Sequence, residues 1–115
     1  MQPHGKLYIS SRNGKGLFGD GKYQLLKAIQ EHGSIQVAAQ KLGRSYRKAW
    51  GDIRSSEKEF GRALVIKTRG GRSGGSTVLT DFGSVLIKKW EKYKSAVESC
   101  MGKSFDKFLK QLVSK

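Results

Sequence analysis

A chain of 115 residues with 37% hydrophobic content can bury the core of one small domain but not of two. A single cysteine, Cys100, excludes an internal disulfide, and with only His4 and His32 beside it no zinc-site pattern exists. Twenty-three Lys and Arg against nine Asp and Glu leave a net charge of +14, which points to a polyanionic partner: DNA, RNA or an anionic membrane surface.

The totals narrow the classes further. No run of about 18 apolar residues is present, so no membrane span is expected. The opening "MQPHGKLYIS" lacks the apolar stretch of a signal peptide, so a cytoplasmic location is expected. Cys100 reads as a small hydrophobe near a helix end. Scattered acids, two histidines and one cysteine offer no nucleophile–base–orienter set, so neither an enzyme nor a cofactor is expected. The cations are uneven: residues 41–73 hold ten against three acids, which is +7, half the net charge.

In chain order, "KLYIS" (6–10) reads as a short strand, and the turn formers after it include an Asn13-Gly14 pair suited to closing a hairpin. A first helix is expected over 20–32, capped by Asp20, with Tyr23, Leu25, Leu26 and Ile29 inward and a stop at His32-Gly33. Ser34 caps a second, short helix whose stripe is Ile35, Ala38, Ala39 and Leu42. Gly43 ends it, and a tight turn leads to a third helix over about 45–60 capped by Ser45. There Tyr46, Ala49, Trp50, Ile53 and Phe60, with Glu57 in register, form the inward stripe. Arg47, Lys48, Gly51, Arg54, Ser55 and Lys58 remain outside. An internal Gly costs about 1 kcal/mol relative to Ala, which suits either close packing or close approach of a partner to the helix. Two strands follow, 63–68 and 77–80, joined by the Gly-rich basic loop "RGGRSGGS" (69–76). Thr80 caps a long helix to about 101 with Phe82, Val85, Leu86, Trp90, Tyr93 and Val97 on one side. Gly102 interrupts it, and Ser104 caps a last helix carrying Phe105, Phe108, Leu109 and Leu112.

Helix, short helix, tight turn, helix, hairpin is the order of a winged helix-turn-helix: mainly α, with a small β-hairpin wing and C-terminal helices for dimerisation. In that arrangement the third helix enters the major groove by its first turns. A helix with side chains is about 10–12 Å across and the groove about 12 Å wide. Arg47 and Lys48 stand where base edges are met, and Arg suits guanine O6 and N7. Ser45 or Tyr46 can serve a phosphate instead, as can Arg44 and Arg54, and Gly51 lets the helix sit deep. Arg69 and Arg72 on the wing reach backbone phosphates or the minor groove. Trp50 is expected to anchor the core rather than stack on a base.

"LLKAIQEHGSIQVAAQKLGRSYRKAWGDI" followed by "RGGRSGGSTVLTDFG" resembles the N-terminal DNA-binding domain of the ModE group of molybdate-responsive transcription regulators, which is akin to the LysR-type winged helix. The resemblance covers about residues 20–90. It implies a dimer on an inverted-repeat operator of double-stranded DNA, built from the N-terminal segment and the C-terminal helices. It also implies DNA contacts at Ser34, Gln36, Ser45, Tyr46, Arg47, Lys48, Arg69, Arg72 and Ser73. Full-length members carry C-terminal oxyanion-binding domains, and this chain ends about 25 residues past the shared region. "SSRNGKG" (10–16) is similar to a short molybdate-module motif but stands without the β-rich sequence around it, so molybdate or other oxyanion binding has no support here.

The expected organisation is a DNA-binding winged helix with its N-terminal strand over 1–80, and dimerisation helices over 81–115. Tyr93, Val97, Met101, Phe105, Phe108 and Leu112 exceed what so small a core covers, so a homodimer is expected. It would set two recognition helices about 34–36 Å apart. Alternative readings are a sequence-neutral architectural DNA binder and a DNA-binding switch gated by a small molecule or protein. Membrane-surface binding is not expected, because the basic helix lacks a broad apolar face.

Overall fold

The computed structural model describes residues 1–68 and 76–114. Strand β1 (Tyr8–Ser10) pairs antiparallel with β2 (Gly16–Gly19), as the Asn13-Gly14 pair implied. The segment "SSRNGKG" is the turn of this hairpin: Ser11 N–H donates to the Lys15 carbonyl at 2.8 Å and Gly14 N–H to the Ser11 carbonyl at 3.0 Å.

Helix α1 (Asp20–His32) begins directly after β2. Its capping position is Gly19, and Asp20 is not the cap that the sequence suggested. Two distant groups claim the Asp20 carboxylate: Lys94 Nζ donates to it at 2.8 Å and Trp90 Nε1 at 3.4 Å. An acid in the first turn still complements the helix dipole. Gly33 closes α1 as expected, its N–H returning to the Ile29 carbonyl at 2.8 Å.

Helices α2 (Ile35–Lys41) and α3 (Tyr46–Phe60) are both capped as predicted. Ser34 Oγ accepts from Val37 N–H at 3.1 Å and Ser45 Oγ from Lys48 N–H at 3.0 Å. Between them Gly43 has φ 67°, a left-handed conformation that costs an L side chain about 1–2 kcal/mol. Arg44 N–H then bonds the Ala39 carbonyl at 2.9 Å, which fixes the turn.

Ile35, Ala38, Ala39, Ala49 and Ile53 are buried where these helices meet, and the two alanines admit the close approach. One member of the expected inward stripe of α3 departs from it: Tyr46 is 43% exposed. Ser56 is buried instead, and its hydroxyl donates to the Leu17 carbonyl of β2 at 2.7 Å.

Strands β3 (Val65–Thr68) and β4 (Ser76–Leu79) pair antiparallel in the register Val65–Leu79, Ile66–Val78, Lys67–Thr77 and Thr68–Ser76. Glu57 of α3 orients the start of this hairpin by accepting from Leu64 N–H at 2.8 Å and Val65 N–H at 3.4 Å. Thr77 N–H donates to the Gly33 carbonyl at 2.9 Å and ties β4 to the end of α1. The resulting architecture is the predicted one, mainly α with a hairpin wing after the helix-turn-helix.

Helix α4 (Asp81–Val113) is continuous, and this corrects the expected break at Gly102. A lone internal glycine costs about 1 kcal/mol, too little to stop a helix whose neighbouring residues continue it. Thr80 caps it, accepting from Gly83 N–H at 2.9 Å and donating to the Ala63 carbonyl at 2.7 Å. At Gly83 an added methyl would overlap the Leu64 carbonyl oxygen and lie 3.3 Å from its carbon, so only glycine lets α4 cross the hairpin this closely. Ile87 and Trp90 complete the core, with Trp90 meeting Phe18 edge-on at 5.2 Å between ring centroids. Past Trp90 the helix still touches the body through Glu91 with Tyr23, Lys94 with Asp20 and Met101 beside Gly5, and the molecule measures 70 × 29 × 24 Å.

Candidate nucleic-acid interface

Core packing of Ala49, Ile53 and Ser56 turns the opposite side of α3 to solvent. That side carries Arg47, Gly51, Arg54, Ser55 and Lys58, all exposed. Their spacing of three to four residues makes one row along the helix. No side chain or backbone lies within 4 Å of a methyl built on Gly51, so packing does not account for this glycine. Arg47 has no ion pair among the described residues. Lys48 bonds Asp52 at 2.9 Å one turn on, yet its side chain is 69% exposed, and such a pair adds little at the surface.

The other expected contacts divide. Gln36 is exposed on α2, which lies against α3. Ser34 and Ser45 spend their hydroxyls on helix caps, although Ser45 is exposed at the tip of α3. Arg44 is half-buried and donates to the Gly21 carbonyl at 2.9 Å, so its guanidinium also braces the turn against α1. Lys22, beside it, is half-buried with Nζ donating to the Gly16 and Leu17 carbonyls at 3.1 and 3.2 Å. Burial lowers its pKa from the ordinary lysine value, partly opposed by Asp52. Arg69, Arg72 and Ser73 lie outside the described residues.

On the wing-facing flank of α3 the structure brings Arg54 and Lys67 to Tyr46 and Trp50, two members of the expected inward stripe. Trp50 is half-buried rather than a full core anchor. The Arg54 guanidinium lies 4.9 Å from its ring centroid and Lys67 Nζ 5.5 Å. Lys67, on β3, donates to Tyr46 Oη at 3.0 Å, and Tyr46 meets Trp50 edge-on at 6.4 Å. Hydrogen bonding from Lys67, then from Trp50, holds the Tyr46 phenol below its ordinary pKa. A sequence signal for Lys67 existed: it sits two residues after buried Val65, so strand alternation aims it at the body, towards α3.

Comparison with known proteins agrees with this architecture. The pattern of the bacterial regulatory helix-turn-helix proteins of the LysR family matches residues 21–84. The chain is 34% identical over 91 residues to the molybdenum-pterin-binding protein MopA of Rhodobacter capsulatus, covering 79% of this chain and 34% of that one. It is 36% identical over 83 residues to the molybdenum transport protein ModE of Azotobacter vinelandii, covering 69% and 31%. It is 38% identical over 76 residues to the DNA-binding transcriptional dual regulator ModE of Escherichia coli K12, covering 65% and 29%. Each of these relatives is therefore matched over about a third of its length or less. Among solved structures, ArgP from Mycobacterium tuberculosis superposes with a TM-score of 0.51 at 24% identity, over 70% of this chain and 28% of that chain, which is a likeness of fold. With a family pattern spanning all three helices of the turn motif and the whole hairpin, the chain belongs to the LysR family of bacterial regulatory helix-turn-helix proteins.

Proposed function

We propose that this chain is the sequence-specific DNA-reading part of a transcription regulator and has no catalytic role. The observation that carries the reading is the solvent-facing row of Arg47, Gly51, Arg54 and Lys58 on a helix whose other side is locked into the core, with Lys67 of β3 against Tyr46 and Trp50 beside it. α3 lies in the major groove with Arg47 and Lys48 towards base edges. Ser45, Tyr46, Gln36 and Arg54 serve the flanking backbone, and Arg69, Arg72 and Ser73 of the wing loop serve backbone or minor groove. Ser34 and Arg44 support those contacts by fixing the helix and the turn.

We further infer a division of labour. Residues 1–80 read DNA, and residues 81–115 pair two copies, although the first turns of α4 also serve the core. Past Trp90, the apolar residues Tyr93, Phe108, Leu112 and Val113 are exposed, and a second copy of α4 covers them in a homodimer. Two copies place two α3 helices on half-sites about 34–36 Å apart. Molybdenum in the names of relatives belongs to those proteins. In this chain the "SSRNGKG" segment turns a hairpin, and no oxyanion site is proposed on it.

Selection of bound sequences from random duplex DNA, with the mass of the complex measured in solution, tests the reading. A palindromic motif bound by two chains is the expected result. Binding without any preferred sequence would replace this reading with that of an architectural protein.

A further inference from the structure

Lys67, Tyr46, Trp50 and Arg54 form a saddle between the reader helix and the stem of the wing. Tyr46 and Lys67 are exposed. No carboxylate among the described residues pairs with Lys67, and the one near Arg54 is Glu57, at 3.9 Å. The Glu57 carboxylate is otherwise engaged by the Leu64 and Val65 N–H groups. Two cations thus lie against one indole ring, at 4.9 and 5.5 Å from its centroid. Like charges gathered this way repel, and a third party of opposite charge relieves that repulsion.

The position of the saddle identifies the third party. When α3 occupies the major groove and the hairpin approaches the neighbouring minor groove, the feature between them is the sugar–phosphate ridge that separates the two grooves. The saddle lies between α3 and β3, so it straddles that ridge. Its donors suit a phosphate. Lys67 spends one N–H on Tyr46 and keeps two, and Tyr46, accepting from Lys67, keeps its own O–H to give. The lowered pKa of the phenol makes that O–H a stronger donor.

We propose that Lys67 and Tyr46 together clamp one non-bridging phosphate oxygen of the DNA backbone, with Trp50 as the platform that holds Lys67 and Arg54 over it. The clamp rests on the DNA reading above and adds to it a residue, Lys67, that couples the register of the wing to that of α3.

The test is the salt dependence of binding to the selected site for wild type, Lys67→Met, Lys67→Arg and Tyr46→Phe. Each phosphate neutralised contributes about 0.9 to the slope of log K against log salt. Lys67→Met is expected to lower the slope by about 0.9 for each bound chain, so its deficit shrinks about 3.5-fold per chain between about 50 and 200 mM salt. Lys67→Arg keeps the slope, and Tyr46→Phe weakens binding while leaving the slope nearly unchanged, because a hydroxyl carries no charge. Lys67 is exposed, so the melting curve of Lys67→Met is expected to overlay that of wild type. A wild-type slope in Lys67→Met overturns the clamp alone. Absence of sequence preference in the wild type overturns the reading on which the clamp rests.

Discussion

Gly51 separates stability from function more sharply than any other position on α3. It is the sixth residue of a fifteen-residue helix, and a methyl built on it meets nothing within 4 Å. Replacement by Ala therefore removes a backbone-entropy cost without creating a clash, and stability is expected to rise by about 1 kcal/mol. For a chain of this length that is a gain of about 4 °C in melting temperature. Leu is nearly as good a helix former as Ala, so Gly51→Leu should gain a similar amount. DNA binding should move the other way. In the proposed complex the Gly51 backbone faces the groove floor, and a side chain there holds Arg47 and Lys48 away from base edges. The loss is expected to resemble that of a mismatched base pair, about 1–3 kcal/mol or between about 5- and 150-fold, larger for Leu than for Ala. Circular dichroism melts and fluorescence anisotropy on the selected duplex measure the two quantities on the same samples. A Gly51→Leu protein that is more stable and still binds as tightly as wild type would refute the placement of this face in the groove.

Three further substitutions probe other levels. Arg47→Ala should cost about 1–3 kcal/mol on the specific site and relax base choice at one position of each half-site; an equal loss on every sequence would make Arg47 a phosphate contact instead. Gly83→Ala should destabilise by about 1–3 kcal/mol, because the new methyl overlaps the Leu64 carbonyl that accepts from Thr80 N–H at 3.0 Å. The same substitution at Gly51 and Gly83 thus has opposite signs, and matching signs in thermal melts would contradict the geometry. The hydroxyl of Tyr23 donates to Glu91, which, with burial adding to it, pushes the Tyr23 pKa up to about 12 from 10.0. The unfolded chain then loses this proton before the folded one does. The contribution is complete below about pH 10 and disappears as pH rises towards about 12. Alkaline denaturation should show a shallower decline over that window in Tyr23→Phe, and an unchanged decline would mean that the Glu91 bond does not persist in solution.

Local chemistry made the turn motif legible. The Ser34, Ser45 and Thr80 caps each join a hydroxyl to an N–H three residues on, so sequence alone carries the interaction. The Ile35, Ala38, Ala39 stripe was readable for the same reason, since one helix repeat defines it. Legibility failed where a partner is remote in sequence. Asp20 leaves its capping role for Lys94 and Trp90, 74 and 70 residues away, and Ser56 is buried by the Leu17 carbonyl, 39 residues away. Tyr46 follows the apolar period of α3 yet faces outward, because β3 brings Lys67 to its hydroxyl from 21 residues on. Gly102 differs in kind: glycine favours helix ends, yet here its neighbours continue the helix on both sides. That difference bears on how two reading heads are spaced. A break at 102 would have left the terminal apolar residues on a jointed segment. One uninterrupted helix, anchored at Ile87 and Trp90 and carrying Phe108 and Leu112 at its far end, would transmit the proposed pairing of two copies rigidly to the body that holds α3. In the proposed dimer, half-site spacing is set by the helix rod, and inserting residues into α4 should alter the preferred spacing before it alters the half-site sequence.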